Sequence, residues 1–255
     1  NGLPLSRIGE LMGVLKTVLF SPDELRIVKD GPGERRRFID IALCQLSKAY
    51  FYALTRYNKI LAQRNKLLKS SPADDAIDVW DMQLAREGAR VVKTRRGFIE
   101  RLAPLAEAVH LDITGSEKLS LSYEGPEGGS IDEIEAALLA ALHKSRQRDR
   151  MFMLTHVGPQ RDDLGISVGD VDLRAYGSQG QQRSAALSLK LAEMELLKAE
   201  SGEYPVLLLD DVLSELDEYR QSKLLSHIKA YQTIITCTSL SPEVRERLGE
   251  AKEFR

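Results

Sequence analysis

Few residues here suit a secreted, membrane-bound or metal-centred protein. Two cysteines occur in 255 residues, Cys44 and Cys237. They lie far apart in different kinds of segment, which argues against a disulfide scaffold and fits a reducing, cytoplasmic compartment. Both read as small apolar residues rather than reactive thiols. No apolar run approaches the roughly 20 residues of a membrane helix, and the opening "NGLPLSRIGEL" has no signal-peptide pattern. His110, His143, His156 and His227 show no metal-ligand spacing. The one tryptophan, Trp80, reads as a packing residue rather than a platform for bases. Net charge is −2 and the pI is near 6.2, so a nucleic-acid footprint has to be local. The absence with most consequence is the phosphate loop G-x-x-x-x-G-K-[ST]. No Gly-Lys-Ser or Gly-Lys-Thr occurs anywhere.

What is present divides into two kinds of segment. "KTVLFSPDEL" predicts a short strand, Val18 to Phe20, then a helix start with Pro22 in its first turn. From Glu34 to Lys69 there is no Gly or Pro, which predicts one helix of about 50 Å at 1.5 Å per residue. "SSPADD" breaks it, with Asp74 or Asp75 able to cap a second long helix over Ala76 to Val109. Gly88, Gly97 and Pro104 are expected to weaken and bend that helix. The two helices read as an antiparallel pair. "KLSLSYEG" alternates as a strand does, and "GGSIDEIEAALLAALHKSRQRDR" reads as a capped amphipathic helix.

The last hundred residues change character. "LGISVGDVDLRAYG" predicts a hairpin on a Gly-Asp turn. "SQGQQ" opens a helix reaching about Glu200. "YPVLLLDDV" reads as a buried parallel strand ending in two acids, "SELDEYRQSKLLSHIKAY" as a helix and "QTIITCTS" as a second buried strand. The alternation predicts an α/β fold with a parallel sheet and a largely helical second lobe. The expected divisions are 1–30 as the end of an N-terminal ATPase-lobe segment, 31–150 as the helical lobe with a small β element, and 151–255 as a C-terminal ATPase half.

Two places carry chemistry. Val206 to Leu209 put Asp210 and Asp211 at the carboxyl end of a strand, where open α/β sheets bind ligands. One carboxylate there suits Mg²⁺ and the other can orient or activate water. A solvated acidic turn would look the same. At Ser178, a helix start offers unpaired N–H groups and a partial positive charge, which suits phosphate. Gly180 leaves room for close approach. An ordinary serine cap would also look the same.

The ordered set "YGSQGQQRS", "VLLLDD", "SELD" and "TCTS" resembles the signature motif, Walker B strand, D-loop and switch region of an ATP-binding-cassette ATPase. "LFSPDELRIVKDGPGERRRFID", "YNKILAQRNKLLK" and "VGPQRDDL" narrow the resemblance to the RecF family, over Asn1 to about Leu240. Two departures stand out. Gln160 occupies the position of a histidine in the family's Gly-Pro-His-Arg pattern. The switch, a histidine in transporter cassettes, is here a Thr/Cys/Thr run. Arg161, Asp162 and Asp163 recur in the family block, and no local pattern assigns them a role.

The resemblance implies an ATP-dependent homodimer using ATP and Mg²⁺. Ser178, Gln179, Gly180 and Gln181 would contact the γ-phosphate of a partner subunit's ATP. Asp210 would support Mg²⁺, and Asp211 would be the catalytic base. Ser214 and Asp217 would lie across the dimer interface, with Thr236 or Thr238 sensing the γ-phosphate. It also implies DNA replication and recombinational repair within the SOS response, binding of duplex DNA at gaps, and work with RecO and RecR to load RecA. Arg35, Arg36 and Arg37 are the DNA-binding candidates, beside "KTRR" and "KSRQRDR". The family's phosphate loop lies in an upstream segment, so the turn-like Asn1-Gly2 start suggests truncation, and this chain alone is expected to hydrolyse ATP negligibly. The competing readings are an SMC-like or overcoming-lysogenization-type ATPase, or a non-catalytic interaction fragment.

Overall fold

The computed structural model describes residues 8–70, 73–237, 245, 248 and 252. The regular elements, in chain order, begin with β1 (Thr17–Phe20), α1 (Arg26–Lys29), α2 (Pro32–Leu46) and α3 (Lys48–Leu68). The 41-residue α4 (Asp74–Thr114) leads to β2 (Leu119–Glu124) and α5 (Ile131–Phe152). Then come β3 (Asp163–Val168), β4 (Val171–Asp172), α6 (Leu173–Tyr176) and α7 (Gln179–Ser201). The last are β5 (Val206–Asp210), α8 (Glu218–His227) and β6 (Thr233–Thr236). One sheet has the order β1-β5-β6 and another β2-β3-β4.

The Gly- and Pro-free run from Glu34 to Lys69 is two helices, not one. The chain turns extended at Ser47 (φ −140°, ψ 108°), whose hydroxyl accepts from the Tyr50 N–H at 3.2 Å. A serine can satisfy the first donors of a new helix, so lack of Gly and Pro does not ensure continuity. α4 departs in the opposite direction. It continues through Gly88, Gly97 and Pro104, because the turns on either side bury Leu102 and Ala106 completely. Tertiary burial outweighs the proline's lost hydrogen bond there. α3 and α4 are antiparallel as expected: Arg56 pairs with Glu87 and Arg64 with Asp81.

The described residues form two compact units. The helical unit takes the residues up to Val14, Pro32–Arg101 and Leu121–Gly165. The α/β unit takes Leu15–Gly31, Leu102–Ser120 and the described residues from Ile166 onward. Residues 151–165 thus cluster with the helices, and 102–120 with the sheet.

The helical unit is built on buried charge. Arg64 is fully buried and donates to Asp81 (2.5 Å), Asp149 (2.7 Å) and Thr155 (2.8 Å). Within the same unit, the loop 158–163 is tied down residue by residue. Arg95 donates to the Pro159 carbonyl at 2.7 Å and forks onto Asp40 at 2.8 and 2.9 Å. The Tyr57 hydroxyl donates to Gln160. The Tyr123 hydroxyl donates to Asp162 at 2.5 Å, and Arg35 forks onto Asp163 at 2.6 and 2.7 Å. The "GPQRDD" stretch is therefore a packing element of the helical unit. Asp162 and Asp163 hold the loop, while Arg161 stays exposed.

Gly158 makes that loop possible. It has φ +124°, and a Cβ there would collide with the Tyr57 hydroxyl and come within 2.6 Å of Gln160 Oε1. Gly158→Ala is expected to lower the unfolding free energy by about 1–3 kcal/mol, read as a lower urea midpoint. An unchanged midpoint would mean the loop contributes little.

In the α/β unit β5 is the central strand, parallel to both neighbours. The hairpin of β3 and β4 turns on Gly169-Asp170 as expected, with Gly169 at φ +55°. The residues after it, however, form α6 instead of extending the second strand. α7 buries nearly its whole middle, Ser184 to Met194, and packs beside β1. That explains its alanines: a helix enclosed on most sides needs small residues as well as leucines. β6 is not the buried strand expected. Its burial alternates, and Ile234 is 56% exposed. In register, Leu19, Leu208 and Ile234 form one apolar row that no described residue covers fully.

Candidate functional site

The turn before α7 has the geometry of a double cap. Ser178 is extended (φ −64°, ψ 158°), its hydroxyl accepts from Gln181 N–H, and the Gln181 side chain accepts from Ser178 N–H. Two of the helix's first donors are thus used internally. The N–H groups of Gln179 and Gly180 precede any intrahelical bond and point out of the helix start. A cleft of about 450 Å³ opens beside them, lined by Ser178, Gly180, Gln181, Glu117, Asp217 and Arg220 among others. A Cβ at Gly180 would come no nearer than 3.5 Å to a neighbour, so the approach there is open. The Gln179 side chain is exposed and outside this lining.

Arg220 joins the parts of this cleft. Its guanidinium donates to Ser184 Oγ at 2.9 Å, to the Gly180 carbonyl at 3.3 Å and to the Asp217 carboxylate. Asp217 in turn caps α8 by accepting from Arg220 N–H at 2.9 Å. That backbone bond, with the guanidinium, holds the Asp217 carboxyl below its ordinary range. Opposite, Gln181 donates to Glu117 at 3.0 Å, and Glu117 lies 3.4 Å from the buried His110. Burial pushes the His110 imidazole below its usual pKa, against the pull of Glu117. No local pattern marks Glu117, which lies far from Ser178 in the chain. Arg220 is legible only as a cation three residues after an N-cap aspartate.

The second cluster lies at the carboxyl end of β5. Asp210 is exposed and accepts from Thr236 Oγ1 at 2.6 Å. Asp211 N–H donates to the Thr236 carbonyl at 3.1 Å, and Ser214 Oγ donates to the Asp211 carbonyl at 2.7 Å. The two acids, Ser214 and Thr236 are therefore one group. Thr236 already spends its hydroxyl on Asp210, and Thr238 lies outside the described residues.

Asp211 is held at φ +51°, and its Oδ1 is buried without a hydrogen-bond partner among the described residues. Left-handed backbone in a non-glycine residue is strain of the kind that collects at working sites. All the hydrogen bonds above use Asp211 backbone atoms, so glycine would keep them. Asp211→Gly is expected to raise stability by about 1 kcal/mol, the left-handed penalty relieved, read as a higher urea midpoint. A lower midpoint would show that the carboxylate is held by the fold.

The arginine trio does not act as one patch. Arg35 is 3% exposed with its fork on Asp163, so it is removed as a DNA contact. Arg36 is partly buried and donates to the Asp162 carbonyl at 2.6 Å. Only Arg37 of the three is exposed. The "KTRR" cluster is also partly spent: Arg95 is buried, and Arg96 donates to the carbonyls of Gly128 and Pro126.

A parallel α/β unit with a helix-start cleft and paired strand-end acids, in one chain with a largely helical unit, defines the ABC-ATPase-like class. No family profile matches the chain. Curated relatives do. A DNA replication and repair protein RecF from Agathobacter rectalis is 50% identical over 261 residues, covering 100% of this chain and 70% of the relative. Another from Ruminiclostridium cellulolyticum is 50% identical over 250 residues, covering 94% and 67%. The chain belongs to the RecF family. It spans about two thirds of the length of these relatives. A solved structure described as the recombination mediator protein RecF-ATP in the RecFOR pathway superposes with TM-score 0.88. It is 40% identical and covers 95% of this chain and 67% of the other. A second, described as RecF-ATPrS, gives TM-score 0.87 at 40% identity, covering 93% and 66%. Among the described residues no helix is long and apolar enough to cross a membrane.

Proposed function

We propose that this chain carries the part of a RecF-type ATPase that acts on a nucleotide held by a second subunit, coupling ATP to DNA repair. The open start of α7, with its cleft, is the observation that carries the reading. Ser178 Oγ and the N–H groups of Gln179 and Gly180 would receive the γ-phosphate of the partner's ATP. Gln181 has to release Ser178 N–H for that donor to join them. Arg220 keeps the signature turn and the D-loop aspartate in one frame, so Ser214 and Asp217 would meet the partner together. Asp211, strained and with an unbonded buried oxygen, would accept a proton from attacking water. The carboxylates of the Asp210 group suit Mg²⁺, which prefers oxygen ligands shared with phosphate. When bound, the ion would offset phosphate charge.

ATP then holds two subunits together, and hydrolysis lets them part, a population shift driven by a ligand that favours one state. The α/β unit, Leu15–Gly31, Leu102–Ser120 and the described residues from Ile166 onward, would serve the ATPase part, and the helical unit the second lobe. By kinship we also assign duplex DNA at gaps, RecR and RecO as partners, RecA loading as the outcome and the cytoplasm as its place. Without a phosphate loop of its own, the chain should bind ATP weakly by calorimetry. Sedimentation of a family-length protein carrying this chain tests the reading. ATP·Mg²⁺ should convert monomer to dimer. ATP binding with no change in mass would sink it.

A further inference from the structure

With Arg35 buried and Arg36 donating to the Asp162 carbonyl, only Arg37 of that trio stays exposed, and α3 offers a broader basic face. Its sequence, "KAYFYALTRYNKILAQRNKLL", contains no aspartate or glutamate. The buried face is Tyr50, Ala53, Tyr57, Arg64 and Leu68. The opposite face exposes Asn58, Lys59, Ala62, Gln63 and Lys66, with Lys69 following at the cap. At 100° per residue Lys59 and Lys66 fall almost on one line, about 10 Å apart at 1.5 Å per residue. That is close to the width of a duplex major groove, about 12 Å.

Two ordinary explanations fall short. A solvated helix surface mixes signs, because opposite charges three or four apart support each other. α3 has no acid to do this, and Arg56 borrows Glu87 from α4. Cations near a helix C-terminus offset its dipole, which covers Lys66 and Lys69. It does not cover Lys59, more than two turns earlier. The exposed face also lacks the aromatic or large apolar anchors that protein interfaces use. Its one apolar residue, Ala62, is too small to serve as one. Amide and ammonium donors with no acceptor carboxylates suit phosphates.

We propose that the α3 face bearing Lys59, Lys66 and Lys69 binds the phosphate backbone of duplex DNA. This rests on the DNA-repair reading above. The contact would be independent of sequence and sensitive to salt.

Fluorescence anisotropy of a labelled duplex with this chain, across a salt series, tests it. Lys59→Gln/Lys66→Gln/Lys69→Gln should weaken binding by more than about 30-fold at about 0.1 M salt. The slope of log affinity against log salt should fall by about 2.7, three phosphate contacts at 0.9 each. The corresponding triple arginine variant should keep both, as should Lys229→Gln, an exposed lysine of the α/β unit. Binding retained by the glutamine variant at the same slope would overturn the α3 face alone. No duplex binding by the unaltered chain at about 50 mM salt would overturn the DNA reading with it. Displacement of duplex by polyglutamate at equal charge would overturn it in favour of an acidic protein partner.

Discussion

Replacing Arg64 with alanine is expected to lower the unfolding free energy by about 3–5 kcal/mol, the range for stripping one partner from a buried ionic group. Arg64, Asp81 and Asp149 are all fully buried. Without the guanidinium, two fully buried carboxylates lose the cation they share. Asp81 would keep Arg146 at 2.8 Å, and Asp149 would keep His156 at 2.9 Å and Ser145 at 3.2 Å. Those contacts soften the loss but do not replace a cation at the centre. The residues involved come from α3, α4, α5 and the segment after α5, so the effect should spread over the helical unit. Helical circular dichroism against urea reads it. A loss under about 1 kcal/mol would show that water or rearrangement satisfies the acids.

Ser178→Arg is expected to weaken ATP-dependent dimerisation by about 100-fold or more, near 2.7 kcal/mol, in a family-length protein carrying this chain. The arginine would fill the cleft beside Gly180 and remove the hydroxyl. It would also remove the cap of α7, worth about 0.5–2 kcal/mol, so a second variant separates the two effects. Ser178→Gly should cost only a few tenths of a kcal/mol as a cap but still lacks the hydroxyl offered to phosphate. Sedimentation with ATP·Mg²⁺ and calorimetry of ATP binding are read together. If Ser178→Gly dimerises like the parent protein, Ser178 is a cap only. If Ser178→Arg dimerises normally as well, the signature turn does not face a partner's nucleotide.

Both experiments probe features that the linear sequence displays unequally. The helix start at Ser178, the strand ending in Asp210-Asp211, the Gly-Asp hairpin turn and the antiparallel α3–α4 pair are all legible. Each depends on a local pattern: a capping residue, a hydrophobic run, a turn dipeptide, a helical period. The break at Ser47 is not, because one serine can lie inside a helix or start the next, and local chemistry does not choose between them. The role of "GPQRDD" is equally hidden, because its partners, Arg35, Tyr57, Arg95 and Tyr123, are scattered over four earlier elements.

Neighbouring residues alone set the alternation of helix and strand in the last hundred residues, the lack of acids from Lys48 to Leu68 and the presence of a phosphate-ready helix start. Which charges stay in water is settled by packing. Folding turns Arg35 inward onto Asp163 and leaves Lys59 and Lys66 outside. It also brings Arg220 and Glu117 to the cleft at Ser178 and forces Asp211 into a left-handed bend. Burial and pairing depend on residues far apart in the chain, and a charged side chain carries no mark of whether its partner will be a carboxylate of its own fold or a phosphate from outside.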